Sequence, residues 1–297
     1  MPVVFYIIAL MQAIIYALIA YFAWGIGITF EAIAARKIES KSFSFWGFFL
    51  AFIITSFFAP SALSKTNNVS LELVGICYII AFFMIVGAIC YYEALKKGNP
   101  SLVGTIGSSF PFVTVVLSLI FLKEKITVYQ ILAIIVIFFG LTLSTLDINQ
   151  LKKRRLVLNA GVFLALITML CWGIYSTLIK IPINKIGWFL PNWIIFSSFP
   201  LVYLYIKITK TKLDIPKRQD ALIPVVLSIV FVRTAEFAYN LGLSKGMASV
   251  VAPIAGANPT LFVLLAYFIF KEPLKKTQII GIVTTLIGVI LLSTLSV

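Results

Sequence analysis

Histidine is absent from this chain of 297 residues, which removes imidazole as a metal ligand, proton carrier or catalytic base. Charge is scarce as well, at 11% of residues, and only 10 residues are acidic. No Asp lies in the interior of an apolar run, so the paired Asp or His cluster that a membrane-embedded enzyme would need is missing. The chain also has no Gly-rich phosphate loop, nucleotide-hydrolysis motif or nucleophile elbow. A nucleotide-driven pump within this chain is thereby excluded, and secondary transport remains. Cysteine is limited to Cys77, Cys90 and Cys171, all inside apolar runs, where they act as small apolar side chains. They imply no disulfide framework, no metal site and no cofactor.

Apolar residues make up 61% of the chain and the mean hydropathy is +1.09, more than a soluble core can bury. A membrane helix needs about 20 apolar residues. Ten such runs occur, near 12–34, 43–61, 71–95, 99–121, 126–146, 157–179, 187–206, 220–244, 248–270 and 275–296. The first ten residues lack the basic start and small-residue cleavage site of a secretory signal and read as an interfacial lead-in to the first span. The formal charge of +14 lies in short connections rather than on an extended basic surface. It sets membrane topology and does not mark a nucleic-acid partner.

The two halves repeat each other at a constant offset of 148 residues. Trp24-Gly25-Ile26 returns as Trp172-Gly173-Ile174, Tyr91 as Tyr239, Lys97-Gly98 as Lys245-Gly246 and Pro111 as Pro259. Lys123-Glu124 returns as Lys271-Glu272, Gln130-Ile131 as Gln278-Ile279 and Gly140 as Gly288. Unrelated apolar segments would match on Leu and Ile instead. The chain is therefore read as an all-α polytopic membrane protein, with one five-helix repeat in 1–148 and another in 149–297. Five spans is an odd number, so the second repeat enters the membrane in the opposite sense. Inverted repeats of this kind place substrate at the midplane and rock one half against the other.

These residues resemble the drug/metabolite transporter superfamily, in its ten-helix EamA-type branch. Ala23-Trp24-Gly25 and Cys171-Trp172-Gly173 are similar to its aromatic-Trp-Gly signature in each half's first helix. Tyr91-Tyr92-Glu93-Ala94-Leu95 followed by Gly107-Ser108-Ser109-Phe110-Pro111 resembles its Tyr-rich third helix and Pro-bearing fourth. The second copy is Tyr239-Asn240-Leu241-Gly242-Leu243 followed by Gly256-Ala257-Asn258-Pro259. The Glu-bearing turn, which in the family often has Gly before Glu, is Lys123-Glu124 and Lys271-Glu272 here. The resemblance covers the whole chain and implies a multi-pass carrier, most often an exporter, while leaving the substrate open.

Charges inside spans are costly and ask for a reason. Arg233, Glu236 and Asn240 fall at i, i+3 and i+7 on one face of the eighth span. Arg233 can bind a carboxylate or phosphate bidentately and Glu236 a substrate amine, or the two can pair and simply brace the bundle. Glu31, Glu93 and Glu236 are the proton-coupling candidates, with solvated interfacial positions as the alternative for Glu31 and Glu93. Lys180 is expected to snorkel to the surface. Trp24, Trp172, Tyr91, Tyr92 and Tyr239 are expected to wall a cavity for amphipathic or cationic ligands or else to serve packing, and Asn258 joins the substrate-site set. Pro111 and Pro259 free backbone carbonyls as kink or hinge positions. The pairs Gly104/Ser108 and Ala252/Gly256 allow close helix approach.

Connections after odd-numbered spans carry 17 Lys and Arg, and those after even-numbered spans carry six. By the positive-inside rule the termini then face outward, whereas the family resemblance implies cytoplasmic termini. The expected protein is a secondary carrier in the plasma (inner) membrane of a bacterial cell, a monomer or weak dimer whose partners are lipid, a small metabolite and protons. Its expected cargo is an amino acid or derivative, exported by alternating access. Uptake of a nucleotide-like or S-adenosyl-type metabolite, or transport of a cationic drug or quaternary amine, stays open, as does a non-transporting scaffold or receptor.

Overall fold

The computed structural model describes residues 2–34, 37–66, 69–97, 100–145, 160–216, 219–271 and 273–297. Everything described is helix or connection, with no strand among these residues. In the first half the helices are α1 (Pro2–Ala34), α2 (Ser40–Ser56), α3 (Ala59–Leu63), α4 (Leu71–Lys97), α5 (Pro100–Ser108), α6 (Phe110–Phe121) and α7 (Val128–Thr145). In the second half they are α8 (Ala160–Leu178), α9 (Lys180–Ile186), α10 (Leu190–Phe196), α11 (Phe199–Ile208), α12 (Gln219–Lys245), α13 (Ala248–Ala255), α14 (Pro259–Phe270) and α15 (Lys276–Thr294). The boundary drawn at residue 148 falls outside the described residues.

Eight of the ten expected spans are long and apolar enough to cross a bilayer, by length and composition. The other two are corrected in detail. The second is the shorter apolar helix Lys41–Ser56, followed by α3. The seventh is broken at Ser197–Ser198 into α10 and α11. The expected lead-in is not separate, because residues from Pro2 onward already belong to α1.

Proline explains the breaks. Pro60, Pro111, Pro191, Pro200 and Pro259 each sit in the first two positions of a helix, where a missing N–H costs nothing. A continuous helix through them would lose a backbone hydrogen bond and clash with the preceding turn. Pro111 and Pro259 thus split the fourth and ninth spans at equivalent points, into α5/α6 and α13/α14. The split spans touch each other there, since a Cβ added to Gly256 would run into Pro111.

The halves exchange partners. Between them α1 packs along α12 and α4 along α8, which is one pairing made twice under the 148-residue shift. A second pairing repeats as well: Gly25 of α1 lies against Leu261 of α14, and Gly173 of α8 against Val113 of α6 at the equivalent position. The fifth and tenth spans, α7 and α15, cross closely through Gly140, Gly281 and Gly288. Without a hydrophobic drive between helices in lipid, such close backbone contact supplies the attraction.

Candidate functional site

Two of the expected residues pair directly. Arg233 Nη1 donates to Glu236 Oε2 at 2.7 Å, one turn along α12. The Glu236 side chain is 5% exposed and that of Arg233 17%, so the pair is withdrawn from lipid. The guanidinium carbon sits 4.9 Å from the Phe196 ring centre on α10 and 5.6 Å from that of Phe48 on α2. Arg233 Nε is buried and has no hydrogen-bond partner among the described residues. Arg233 is near the middle of α12, about 20 Å from either end at 1.5 Å per residue.

Glu31 enters from α1. It is half-buried, accepts a hydrogen bond from the Tyr92 hydroxyl on α4, and lies in electrostatic range of Arg233. The cluster therefore holds one guanidinium and two carboxylates, with Glu31 half-buried in the last turn of α1. Glu93 is placed elsewhere, in a partly exposed ion pair with Lys97 at 3.6 Å.

A run of aromatic rings leads away from Tyr92. Tyr92 contacts Tyr91 with ring centres 6.0 Å apart, Tyr91 contacts Trp172 at 5.3 Å, and Trp172 contacts Phe110 at 6.1 Å. Phe110 contacts Trp24 at 6.5 Å, which contacts Tyr239 at 5.5 Å. The Trp24–Tyr239 and Tyr91–Trp172 pairs are repeat-related and share an interplanar angle of 42°. Each joins the first helix of one half to the third of the other, so the repeated tryptophans pack at the seam between repeats. Tyr239 is buried and donates to the Ser176 carbonyl at 3.3 Å.

The two asparagines are buried and half satisfied. Asn240 donates to the Trp188 carbonyl at 3.3 Å and Asn258 to the Ala255 carbonyl at 3.0 Å, while both Oδ1 atoms lack partners among the described residues. Asn240 is seven residues from Arg233, about 10 Å along the axis, so it shares the face but not the cluster. Of the hinge and packing set, Pro111, Ala252 and Gly256 are buried, and Pro259, Gly104 and Ser108 half-buried.

One expectation is overturned. Lys180 does not snorkel. Its Nζ donates to Glu124 Oε1 at 2.7 Å and to the Gly246 carbonyl at 2.7 Å, with the side chain 14% exposed. Glu124 also accepts from Ala248 N at 2.8 Å, Ser249 N at 2.9 Å and Ser249 Oγ at 2.7 Å, at the start of α13. It caps that helix, where the unpaired N–H groups and helix dipole favour an anion. The residues missed from sequence are Phe48, Phe196, Glu124 and Tyr175, the last buried within electrostatic range of Arg233 and Glu236. Only Glu124 carried a readable signal, a carboxylate repeated at each half's last turn.

Among proteins of known sequence and structure, the profile of the EamA-like transporter family matches residues 11–146 and 159–294. The two matches are offset by 148 residues, as the paired residues are. An uncharacterized protein of Methanocaldococcus jannaschii is 31% identical over 136 residues, spanning 46% of this chain and 98% of that protein. Its whole length therefore corresponds to about one half of this chain. A solved crystal structure shares the fold at a TM-score of 0.76 and 15% identity, covering 96% of this chain and 98% of that one.

Proposed function

Since this chain belongs to the EamA-like transporter family, a family of membrane transporters, we propose that it carries a small metabolite bearing both a carboxylate and an amine, an amino acid or a derivative. The observation that carries this reading is the buried, unpartnered Nε of Arg233 between Phe48 and Phe196. With Nη1 committed to Glu236, the Nε edge is the side on which a carboxylate docks in the parallel two-bond geometry that guanidinium favours. The amine belongs to Glu31, because Glu236 is already spent on Arg233. Tyr92 holds Glu31 in place until an ammonium or a proton replaces the hydroxyl. Export from the cell by alternating access, with substrate and proton competing for Glu31, is the direction proposed.

A second reading rests on the charge balance. Arg233 and Glu236 neutralise each other, leaving Glu31 as the uncompensated charge beside an aromatic run, and such a site suits a cation with a flat apolar body. Thermal stabilisation of the purified protein separates the two, since a ligand bound only to the folded state raises its stability. The panel comprises amino acids, their decarboxylated amines, S-adenosyl and nucleoside compounds, and quaternary amines. Amino acids that stabilise the wild type but not Arg233→Ala support the first reading. Stabilisation by quaternary amines alone, unaffected by Arg233→Ala, overturns it in favour of the second.

A further inference from the structure

The Glu124–Lys180 pair lies outside the Arg233 cluster and joins the two repeats at one membrane face. Glu124 belongs to the connection between α6 and α7, in the first half. Among the described residues, its four side-chain hydrogen bonds all come from the second half, from Lys180, Ala248 N and both the amide and hydroxyl of Ser249. Lys180 in turn holds the Gly246 carbonyl, in the connection between α12 and α13. Gly246 is pressed against α1, where an added Cβ would lie 2.6 Å from that of Ala13. The ends of the first, fourth, sixth, eighth and ninth spans thus converge on one carboxylate.

The backbone aims that carboxylate inward. Lys123 has φ 54, a left-handed conformation that ends α6 and turns the next residue back into the bundle. Lys271, its counterpart, has φ 58, so the turn is a repeated device. The cation is not repeated: the position equivalent to Lys180 is Ala32. Only one face of the membrane can be closed by this ammonium.

We infer that Glu124 and Lys180 form a latch that seals the carrier on the face shared by the even-numbered connections and the termini, and that it must part for substrate to pass on that side. The location makes parting feasible. A charge pair broken at the midplane would strand both ions in apolar surroundings, whereas at a span end water enters as the face opens and the Lys stem lets its ammonium reach it. The inference rests on transport by alternating access but not on the identity of the substrate or on Arg233.

The test uses two single-cysteine reporters in full-length protein in lipid vesicles, with Cys77, Cys90 and Cys171 replaced by Ala and N-ethylmaleimide as the probe. Ser176→Cys reports from beneath the latch, one turn before Lys180, at a side chain that is 2% exposed. Ser108→Cys reports from the other half of the membrane, next to Gly107, which packs on the Tyr91 ring. Glu124→Gln should raise the reaction rate at Ser176→Cys by about tenfold, the population shift expected from losing one charge-assisted hydrogen bond. It should lower the rate at Ser108→Cys, because opening one face closes the other. The double variant Glu124→Gln/Lys180→Met strands no charge and should give the same reciprocal change if the single variant folds poorly. An unchanged rate at Ser176→Cys, or rates that rise together at both reporters, would overturn the latch, the latter showing that the pair merely braces the bundle. Because no substrate is added, either result leaves the Arg233 assignment to be judged by the stabilisation panel.

Discussion

Replacing Arg233 by Met keeps the length and apolar stem of the side chain and removes the guanidinium alone. Glu236 then keeps its burial, at 5% exposure, but loses the 2.7 Å hydrogen bond from Arg233. Breaking a buried pair from one side costs about 3–5 kcal/mol, because the remaining charge is stranded. Glu236→Gln should cost less, about 1–3 kcal/mol. The guanidinium in that variant still faces the Phe48 and Phe196 rings and lies in electrostatic range of Glu31. The double variant Arg233→Met/Glu236→Gln buries no charge and should fall within about 1–2 kcal/mol of wild type, giving a coupling of at least about 2 kcal/mol. At about 2–4 °C per kcal/mol for a chain of this size, Arg233→Met should melt about 10 °C lower by intrinsic fluorescence in detergent, and the double variant should recover most of that. An unchanged melting temperature for Arg233→Met, or a double variant whose loss is the plain sum of the two, would refute the buried-pair argument. Transport decides the rest: a double variant that is stable and fully active ends the substrate-site reading.

Burial pushes the Glu124 carboxyl up, but the Lys180 ammonium and the hydrogen bonds from Lys180 and Ser249 outweigh it and hold the carboxyl below its ordinary value. A depressed folded value stabilises the fold above the unfolded pKa and ceases to do so as pH falls through the folded one. The melting temperature of wild type should therefore drop more steeply than that of Glu124→Gln between about pH 5 and pH 3, and parallel curves would contradict the assignment. At the crossing of the fifth and tenth spans, a Cβ on Gly140 would lie 2.6 Å from Thr285 Oγ1 and 2.8 Å from the Gly281 carbonyl, whereas one on Gly75 would meet nothing within 4 Å. Gly140→Ala should cost about 1–3 kcal/mol by overpacking and Gly75→Ala should be neutral or mildly stabilising, a contrast that thermal unfolding of the two variants checks.

Repetition and proline made the scaffold readable. The recurring Trp-Gly, Pro and Lys-Glu positions marked the two halves, and Pro111 and Pro259 marked the points where the fourth and ninth spans break. The Arg233–Glu236 contact followed from helical spacing alone, because residues three apart on one helix share a face. Contacts across helices were not readable in this way. Tyr92 reaches Glu31 over 61 residues of sequence and Lys180 reaches Glu124 over 56, and no periodicity within either helix announces the other. The rings of Phe48 and Phe196 look like any lipid-facing Phe until the bundle brings them to Arg233. Lys180 was misjudged for the same reason: a lone Lys near a span end snorkels unless a buried carboxylate meets it, and the meeting depends on how the halves dock.

What was duplicated and what was not have different physical consequences. The close glycine contacts, the tilted Trp–Tyr pairs, the proline breaks and the left-handed Lys turns occur in both halves, and these parts fix how one half packs on the other. Four of the charges set into the bundle are single. Arg233, Glu236, Glu31 and Lys180 correspond to Ile85, Ala88, Ile179 and Ala32. A fully symmetric pair of inverted repeats would exchange roles on opening to either side, and its two end states would have equal energy. A charge pattern present on one side only removes that equality, because each state solvates or buries different ions. On the alternating-access reading, every uncopied charge acts as a bias between the two states. On the latch reading, the ammonium of Lys180, with no counterpart at Ala32, favours closure of the face it seals. On the alternating-access reading proposed above, the repeats set the path of the motion, and the unrepeated charges set the resting state and the load that moves it.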